Sequence, residues 1–139
     1  MSAADLAAVV RLERECGLST RGESRYAEAS QDPAAVLLVA EAGGEVVGVF
    51  SGWLVAGEFE IDNLAVAAGW RRRGVGGRLL AAGLAEAYGR GAARAVLEVR
   101  SGDLAAQRLY WRHGFGEVGR RPGYYRDPDD DALILALGR

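Results

Sequence analysis

The residues with the clearest chemical potential form a glycine-rich, arginine-rich turn between an apolar strand and an amphipathic helix. The turn runs Arg71-Arg-Arg-Gly74-Val-Gly76-Gly77, and the apolar segment before it ends at Val66. Glycine at positions 74 and 76 lets a ligand approach the backbone closely, because no Cβ atom stands in the way. The N–H groups that open the following helix, with the positive end of its dipole behind them, favour an anion. The turn therefore predicts a pyrophosphate site, with an exposed basic helix end as the structural alternative.

The positive charge of the chain is carried by arginine alone, since its 17 basic residues include no lysine. This excludes a Schiff-base lysine and the lysine of a Walker-type phosphate loop. The turn also lacks the third glycine and the distal acidic residue of the dinucleotide fingerprint. The phosphate hypothesis therefore depends on the glycines and on the backbone amides of the turn.

Alternating strands and helices surround the turn and must position it. An antiparallel meander comes first, because Gly43-Gly44 and Ala56-Gly57 are typical of tight turns between apolar runs. The predicted strands are residues 35–42, 45–55, 58–66, 93–100, 115–121 and 132–137, with a polar loop between the last two. The predicted helices are residues 2–16, 21–31, 74–88 and 103–113. Helical crossovers make the strands at 58–66 and 93–100 a locally parallel pair, so the predicted fold class is α+β.

Length and composition restrict the class of protein. The chain has 139 residues, of which 50% are hydrophobic and 26% charged, so we expect one globular domain over residues 1–139. A net charge of −2 argues against a broad nucleic-acid-binding surface, and no apolar run is long enough to cross a membrane. The single cysteine, Cys16, excludes a disulfide framework, and Cys16 with His113 cannot complete a structural zinc site. Without a leader pattern at its start, the chain is expected to be cytoplasmic.

A second motif follows the helix after the turn and runs Glu98-Val-Arg-Ser-Gly-Asp103-Leu-Ala-Ala-Gln-Arg-Leu-Tyr110-Trp-Arg-His-Gly114-Phe115. Together, the Arg-x-x-Gly-x-Gly turn and the Leu-Tyr-x-x-x-Gly-Phe ending resemble the GNAT superfamily of acetyl-CoA-dependent N-acetyltransferases. The resemblance covers residues 61–139 well and residues 36–60 loosely. Within the superfamily the chain is most similar to the RimI type, which acetylates the N-terminus of a ribosomal protein. The segments that carry this similarity are Asn63-Leu-Ala-Val66, Leu97-Glu-Val-Arg100, Arg121-Pro-Gly-Tyr-Tyr125 and Asp131-Ala132.

The resemblance implies a mixed, mostly antiparallel sheet with flanking helices, in which the strands ending near Val66 and beginning near Val96 splay apart. The pantetheine arm of acetyl-CoA fills the gap between them, and its pyrophosphate lies on the glycine-rich turn. Arginines of the turn then add charged donors to phosphate. The implied cofactor-binding residues are Leu64, Ala65, Val66, Arg71, Arg72, Arg73, Gly74, Val75, Gly76, Gly77 and Asp103. No metal is expected.

The same resemblance implies the catalytic residues, with Glu98 as general base and Tyr110 as general acid. An amine must lose a proton before it attacks a thioester, and the departing thiolate needs a proton in return. Taken without the resemblance, Glu98 is typical of an arginine-paired strand residue and Tyr110 of a core aromatic. On the acceptor side the resemblance implies Tyr124 and Tyr125. Glu60 lies on the strand next to that of Glu98, where its carboxylate is expected to attract the substrate amine or to assist its deprotonation.

The sequence departs from the family in three places. A first strand is apparently missing, or the true start lies upstream, because Ser2 already resembles a helix cap. Gly17-Leu-Ser-Thr-Arg-Gly22 replaces a Pro-Trp pair, and Asp103 replaces an asparagine and adds a negative charge near the cofactor channel. The expected acceptor is a protein N-terminal α-amine, which loses its proton more readily than a lysine. The alternatives are a free small amine, amino acid or antibiotic, or a non-catalytic acyl-CoA-binding module, in a monomer or a homodimer.

Overall fold

The computed structural model describes residues 31–126 and 129–138. Its helices are α1 (Val75–Gly89) and α2 (Leu104–Arg112), and a 3₁₀ turn covers Ala68–Trp70. Its strands are β1 (Ala35–Ala42), β2 (Glu45–Val55), β3 (Glu58–Val66), β4 (Arg94–Arg100), β5 (Gly116–Tyr125) and β6 (Asp130–Gly138). Cys16, the predicted helix at 2–16, residues 21–30 of the next one and the missing first strand fall outside the described residues.

The strands form one mixed sheet in the order β1-β2-β3-β4-β6-β5. Neighbouring strands are antiparallel except β3 and β4, which run parallel. That parallel pair is short, because it joins only residues 58–60 of β3 to residues 94–96 of β4. Beyond these residues the two strands separate, so the predicted fold class and the splayed parallel pair are confirmed.

The predicted strands 35–42, 45–55 and 58–66 agree with β1, β2 and β3, but the closing strands are longer than predicted. Pro122-Gly123 indicated a loop, whereas β5 continues through Tyr125 and pairs it with Asp130 of β6. The chain absorbs the extra residues as a β-bulge, in which Gly123 adopts a φ of 63°. The amide of Gly123 donates to Asp131 Oδ1 at 2.9 Å. The bulge therefore places Tyr124 and Tyr125 on the edge of the sheet rather than in a free loop.

Helix α1 packs so closely on β2 that glycine is needed at the contact. Phe50 is fully buried, and a Cβ atom at Gly83 would overlap its ring. The core between this helix and the sheet contains fully buried aromatic and aliphatic side chains, among them Phe50, Phe59, Leu80 and Leu135. The close approach of α1 matters for function, because α1 carries the glycine-rich turn at its start.

We expect Gly83→Ala to lower the free energy of unfolding. Alanine raises helix propensity by about 1 kcal/mol over glycine, but overpacking a buried ring costs about 1–3 kcal/mol. Gly89→Ala is the matched control, since it lies in the same helix and its Cβ atom would meet nothing within 4 Å. Thermal unfolding followed by circular dichroism should show a lower Tm for Gly83→Ala only. An equal rise in Tm for both variants would contradict the close contact.

Among the helices of residues 31–126 and 129–138, none has the length and hydrophobicity of a membrane span.

Candidate active site

The glycine-rich turn presents backbone donors at the start of α1. Gly74 is the N-cap residue with a φ of 81°, a left-handed conformation that favours glycine. The first helical hydrogen bond runs from the amide of Arg78 to the carbonyl of Gly74, at 3.1 Å. Gly74 has no side chain with which to cap the helix, so the amides of Val75, Gly76 and Gly77 keep their capacity to donate to an anion.

The arginines of the turn are exposed, and two of them are held by neighbouring groups. Arg71 Nε donates to the carbonyl of Val66 at 3.2 Å, which ties the turn to the end of β3. The guanidinium of Arg73 lies 4.8 Å from the centre of the half-buried Trp70 ring.

Three elements converge on the turn. A Cβ atom at Gly76 would lie 3.4 Å from a side-chain carbon of Leu109 on α2 and 3.7 Å from one of Val66 on β3. The imidazole of His113, the C-cap residue of α2, lies over Gly77 and bonds through Nδ1 to the carbonyl of Leu109 at 2.9 Å. The turn is therefore surrounded by α1, α2 and the end of β3.

Beyond their short parallel pairing, β3 and β4 separate and leave a gap. Leu64, Ala65 and Val66 use one edge of β3 to pair with residues 48–50 of β2. On the other edge, pairing with β4 stops at Glu60. Beyond Glu60, this edge of β3 pairs with no strand in residues 31–126 or 129–138, so it suits a ligand that enters as an extra strand.

Glu98 lies on β4 and faces away from the apolar core. Its neighbours Leu97 and Val99 are buried, as the alternation of a strand requires. The side chain of Glu98 keeps 30% of its surface exposed, and its carboxylate lies 3.5 Å from Nη2 of Arg121 on β5. The candidate base is thus an ion-paired strand residue, the structural alternative that the sequence allowed.

Tyr110 lies on α2 and is 7% exposed, with its ring packed edge-on against Phe115 at 5.5 Å. Burial raises the pKa of its hydroxyl well above the ordinary value, and the carboxylate of Asp103 adds to this effect. Asp103 is the N-cap residue of α2 and accepts a hydrogen bond from the amide of Ala106 at 3.1 Å. Tyr110 therefore keeps its proton at any pH at which the enzyme would work, which a general acid requires.

The charges of its neighbours act on Tyr125. Burial raises its pKa, and the charge of Glu98 raises it further. Tyr125 in turn raises the pKa of Tyr110. The guanidinium of Arg100 lies 4.4 Å from the centre of the Tyr125 ring and fixes its position.

The predicted acceptor residues lie on two different strands. Tyr124 is 49% exposed and packs edge-on against Tyr125, with ring centres 5.1 Å apart. Glu60 is exposed on β3, next to Val96 of β4, and forms no ion pair with any residue in 31–126 or 129–138. The structure thus groups the two tyrosines with Glu98 through Arg121, whereas Glu60 stands at the end of the short parallel pair.

Sequence reasoning missed a clamp on the β4–α2 junction. The carboxylate of Asp130 accepts hydrogen bonds from the Ser101 hydroxyl and, at 3.0 Å, from the amide of Gly102. The buried Gln107 donates from Nε2 to the carbonyls of Arg100 and Ser101, both at 2.9 Å. This clamp sets the direction in which α2 leaves the sheet, and hence the position of Tyr110. No local pattern in the sequence indicates this clamp, because Asp130 and Gly102 are 28 residues apart.

We expect Asp130→Asn to destabilise the protein in a pH-dependent way. The Ser101 hydroxyl above all, and the amides of Gly102 and Asp131, lower the pKa of Asp130. Because the folded-state pKa is depressed, the carboxylate stabilises the fold above its ordinary pKa of about 4, and the stabilisation fades as the pH falls below it. Tm measured against pH should show a gap between wild type and Asp130→Asn that closes in acid. Asp129→Asn, one residue away, is the control, and a gap of constant size would contradict the clamp.

No group of three or more histidine, cysteine, aspartate or glutamate side chains within residues 31–126 and 129–138 is placed to hold a metal ion.

Comparison with known proteins agrees with this geometry. The sequence pattern of the Acetyltransferase (GNAT) family matches residues 6–115. The ribosomal protein bS18-alanine N-acetyltransferase of Escherichia coli (strain K12) is 40% identical over 86 residues, which are 60% of this chain and 58% of that protein. A Bacillus subtilis (strain 168) protein, provisionally given the same activity, is 34% identical over 113 residues, which are 81% of this chain and 75% of that protein.

The fold is shared as well. The crystal structure of the ribosomal-protein-S18-alanine N-acetyltransferase from Escherichia coli superposes with a TM-score of 0.88. It is 30% identical, and the match covers 99% of this chain and 90% of that one. On the family pattern, the two relatives and the shared fold, this chain belongs to the GNAT family of acetyltransferases.

Proposed function

We propose that the protein transfers the acetyl group of acetyl-CoA to the N-terminal α-amine of a protein. The observation that carries this proposal is that β3 and β4 pair only over residues 58–60 and 94–96 and separate before Glu98, in a chain of the GNAT family. A carboxylate and a protonated hydroxyl, which we assign to Glu98 and Tyr110, are the two groups that acyl transfer to an amine needs.

The cofactor part of the site fits acetyl-CoA in two ways. The amides at the start of α1 and the exposed arginines of the turn suit a pyrophosphate. Beyond Glu60, β3 no longer pairs with β4, and this edge of the strand suits the amide groups of a pantetheine arm, which would pair with it as a strand does. The residues we assign to this role are Leu64, Ala65, Val66, Arg71, Arg72, Arg73, Gly74, Val75, Gly76, Gly77 and Asp103.

The chemistry follows from the two functional groups. Glu98 takes a proton from the acceptor ammonium, directly or through water, and the neutral amine attacks the thioester carbonyl. The carbon–sulfur bond then breaks as the Tyr110 hydroxyl donates its proton to the departing sulfur, the nitrogen releases its second proton to water, and water reprotonates Tyr110. Burial raises the pKa of Tyr110 and so makes its hydroxyl a weaker acid, which means that the proton moves only as negative charge develops on the sulfur.

A protein N-terminus suits the acceptor side better than a lysine. An α-amine has an ordinary pKa of about 7.7–8.0, compared with about 10.4 for lysine, so its deprotonation at neutral pH costs roughly 3–4 kcal/mol less. The exposed Tyr124 and the partly buried Tyr125 provide an aromatic wall against which an extended peptide can lie. The relatives named above act on an N-terminal alanine of a ribosomal protein, which supports the same class of acceptor here.

The test is acetyl transfer from acetyl-CoA to three matched acceptors, followed by mass spectrometry. The first is a peptide with a free N-terminal alanine and an internal lysine, and the second is the same peptide blocked at its N-terminus. The third is a set of free amino acids and aminoglycosides. We expect acetylation of the first acceptor only, at its α-amine. Transfer to the third set alone would overturn the proposal, and binding of acetyl-CoA without any transfer would indicate an acyl-CoA-binding module.

A further inference from the structure

A wide bulge interrupts β5 where the strand carries the two tyrosines. Residues 121 and 125 of β5 pair with residues 132 and 130 of β6, so residues 122–124 all lie opposite the single residue Asp131. A bulge of this kind disrupts the ladder of backbone hydrogen bonds and leaves its extra residues unpaired. The conformation of this segment therefore depends on contacts from outside the ladder.

The side chain of Asp131 provides such a contact. Pro122 has no N–H group to donate, so the amide of Gly123 is the first donor in the bulge. This amide donates to Asp131 Oδ1 at 2.9 Å, and the φ of 63° at Gly123 suits a residue without a Cβ atom. The other carboxylate oxygen, Oδ2, lies 3.3 Å from Nη1 of Arg120. One carboxylate thus holds the bulge and also forms an exposed ion pair.

The bulge carries the tyrosine pair directly. Tyr124 follows Gly123 in the chain, and its ring packs edge-on against that of Tyr125, with ring centres 5.1 Å apart. The guanidinium of Arg100 lies 4.4 Å from the centre of the Tyr125 ring. Because the two rings are consecutive and in contact, a change in the backbone at Gly123 shifts Tyr124 and disturbs its packing on Tyr125.

The neighbouring Asp130 has a separate role. Its carboxylate binds the Ser101 hydroxyl and the amide of Gly102, and so belongs to the clamp that sets the position of Tyr110. Asp131 reaches the same junction only through its backbone carbonyl, which accepts from the amide of Ser101 at 2.9 Å. The side chain of Asp131 can therefore be changed while the support of Tyr110 remains.

We propose that Asp131 is a positioning residue of the acceptor site, which holds the β5 bulge through Gly123 and thereby fixes the wall formed by Tyr124 and Tyr125. Asp131 acts through the backbone and does not itself touch the acceptor. This inference rests on the proposed function, because it assumes that a peptide acceptor lies against the two tyrosines. Loss of the carboxylate should then weaken binding of the peptide and leave both the cofactor and the chemical step unchanged.

The experiment measures steady-state kinetics of Asp131→Ala with the alanine peptide and with acetyl-CoA. We expect KM for the peptide to rise about tenfold, the effect of one hydrogen bond to a charged acceptor. The values of kcat and of KM for acetyl-CoA should stay within about twofold of wild type, since only binding of the acceptor is affected. Asp131→Asn keeps an oxygen that can accept from the Gly123 amide, so its peptide KM should stay within about twofold of wild type.

Two further variants separate the bulge from the ion pair. Arg120→Gln removes the charged partner of Asp131 but leaves the bond to Gly123, so it should keep the wild-type peptide KM. Gly123→Ala should raise the peptide KM, because its Cβ atom meets nothing within 4 Å and only strains the backbone of the bulge. Combined with Asp131→Ala, it should add less than its own effect, since both changes act on one hydrogen bond. Hydrogen exchange at the Gly123 amide should become faster in Asp131→Ala and stay unchanged in Arg120→Gln.

An unchanged peptide KM for Asp131→Ala would overturn the inference. Equal losses in peptide KM, in acetyl-CoA KM and in kcat would also overturn it, because they indicate a general loosening of the sheet. If Asp131→Ala does not fold, the peptide KM of Gly123→Ala decides by the same criterion. If the wild type acetylates no peptide, the proposed function fails and this inference fails with it, whereas a wild type that acetylates the peptide as well as Asp131→Ala does removes the inference alone.

Discussion

Gly76→Val is expected to weaken acetyl-CoA binding by at least about 100-fold, a loss of about 2.7 kcal/mol, while the fold survives. The space beside Gly76 lies where α1, α2 and the end of β3 meet. A branched side chain there fills the approach to the amides of the turn, so a pyrophosphate can no longer reach them. The helix itself gains from the change, because glycine is the less favourable residue in a helix. Isothermal titration with acetyl-CoA measures the loss.

Gly76→Ala provides the graded control for this variant. Its single Cβ atom would make ordinary van der Waals contacts, at 3.4 Å to Leu109 and 3.7 Å to Val66. The packing is therefore preserved, and a ligand can still reach the amides of the turn. We expect an affinity close to that of the wild type and an unchanged Tm. Equal affinities for Gly76→Val and the wild type, in variants that unfold at similar temperatures, would mean that the cofactor is held elsewhere.

The local part of this structure was accessible from the sequence. Apolar runs separated by Gly43-Gly44 and Ala56-Gly57 predict β1, β2 and β3 at their observed bounds, because a tight turn fixes the register of the strands on both sides. Asp103 as N-cap and Gly114 just after the last turn likewise predict α2. These features depend on residues that are close together in the sequence, so a single chain is enough to predict them.

The contacts that define the candidate site were not accessible in the same way. The pair between Arg121 and Glu98 depends on β6 lying between β4 and β5, an order set by long-range pairing. The clamp of Asp130 on Ser101 depends on the same placement of β6. The Pro122-Gly123 bulge follows a loop-like pattern, yet it sits inside a strand because Asp131 binds its amide. The residues of the candidate site could therefore be named from the sequence, whereas the side chains and backbone groups that they contact could not.

Tyr110→Phe is expected to lower kcat at least about tenfold and to leave acetyl-CoA affinity unchanged, since a positioned general acid contributes typically about 10²–10⁴-fold and water replaces part of it. The ring stays packed against Phe115, so the loss of one hydroxyl changes the core little. Steady-state kinetics with a peptide acceptor, together with titration of acetyl-CoA, separate the two effects. Tyr124→Phe, which removes the hydroxyl of an exposed ring, is the control and should leave kcat nearly unchanged.

The pH profile distinguishes an acid from a packing residue. Burial raises the pKa of Tyr110, so its hydroxyl stays protonated. Deprotonation of Tyr110 should therefore cause no fall in wild-type kcat up to about pH 10, the ordinary pKa of a tyrosine.

Glu98→Gln should slow turnover most at low pH, where few acceptor amines are already neutral. The loss of turnover should become smaller as the pH approaches the pKa of the amine itself. If the two groups serve one transition state, the double variant should lose less than the product of the single losses. Full wild-type turnover by Tyr110→Phe would remove Tyr110 from the mechanism, and a loss for Glu98→Gln that is the same at every pH would leave Glu98 a structural partner of Arg121.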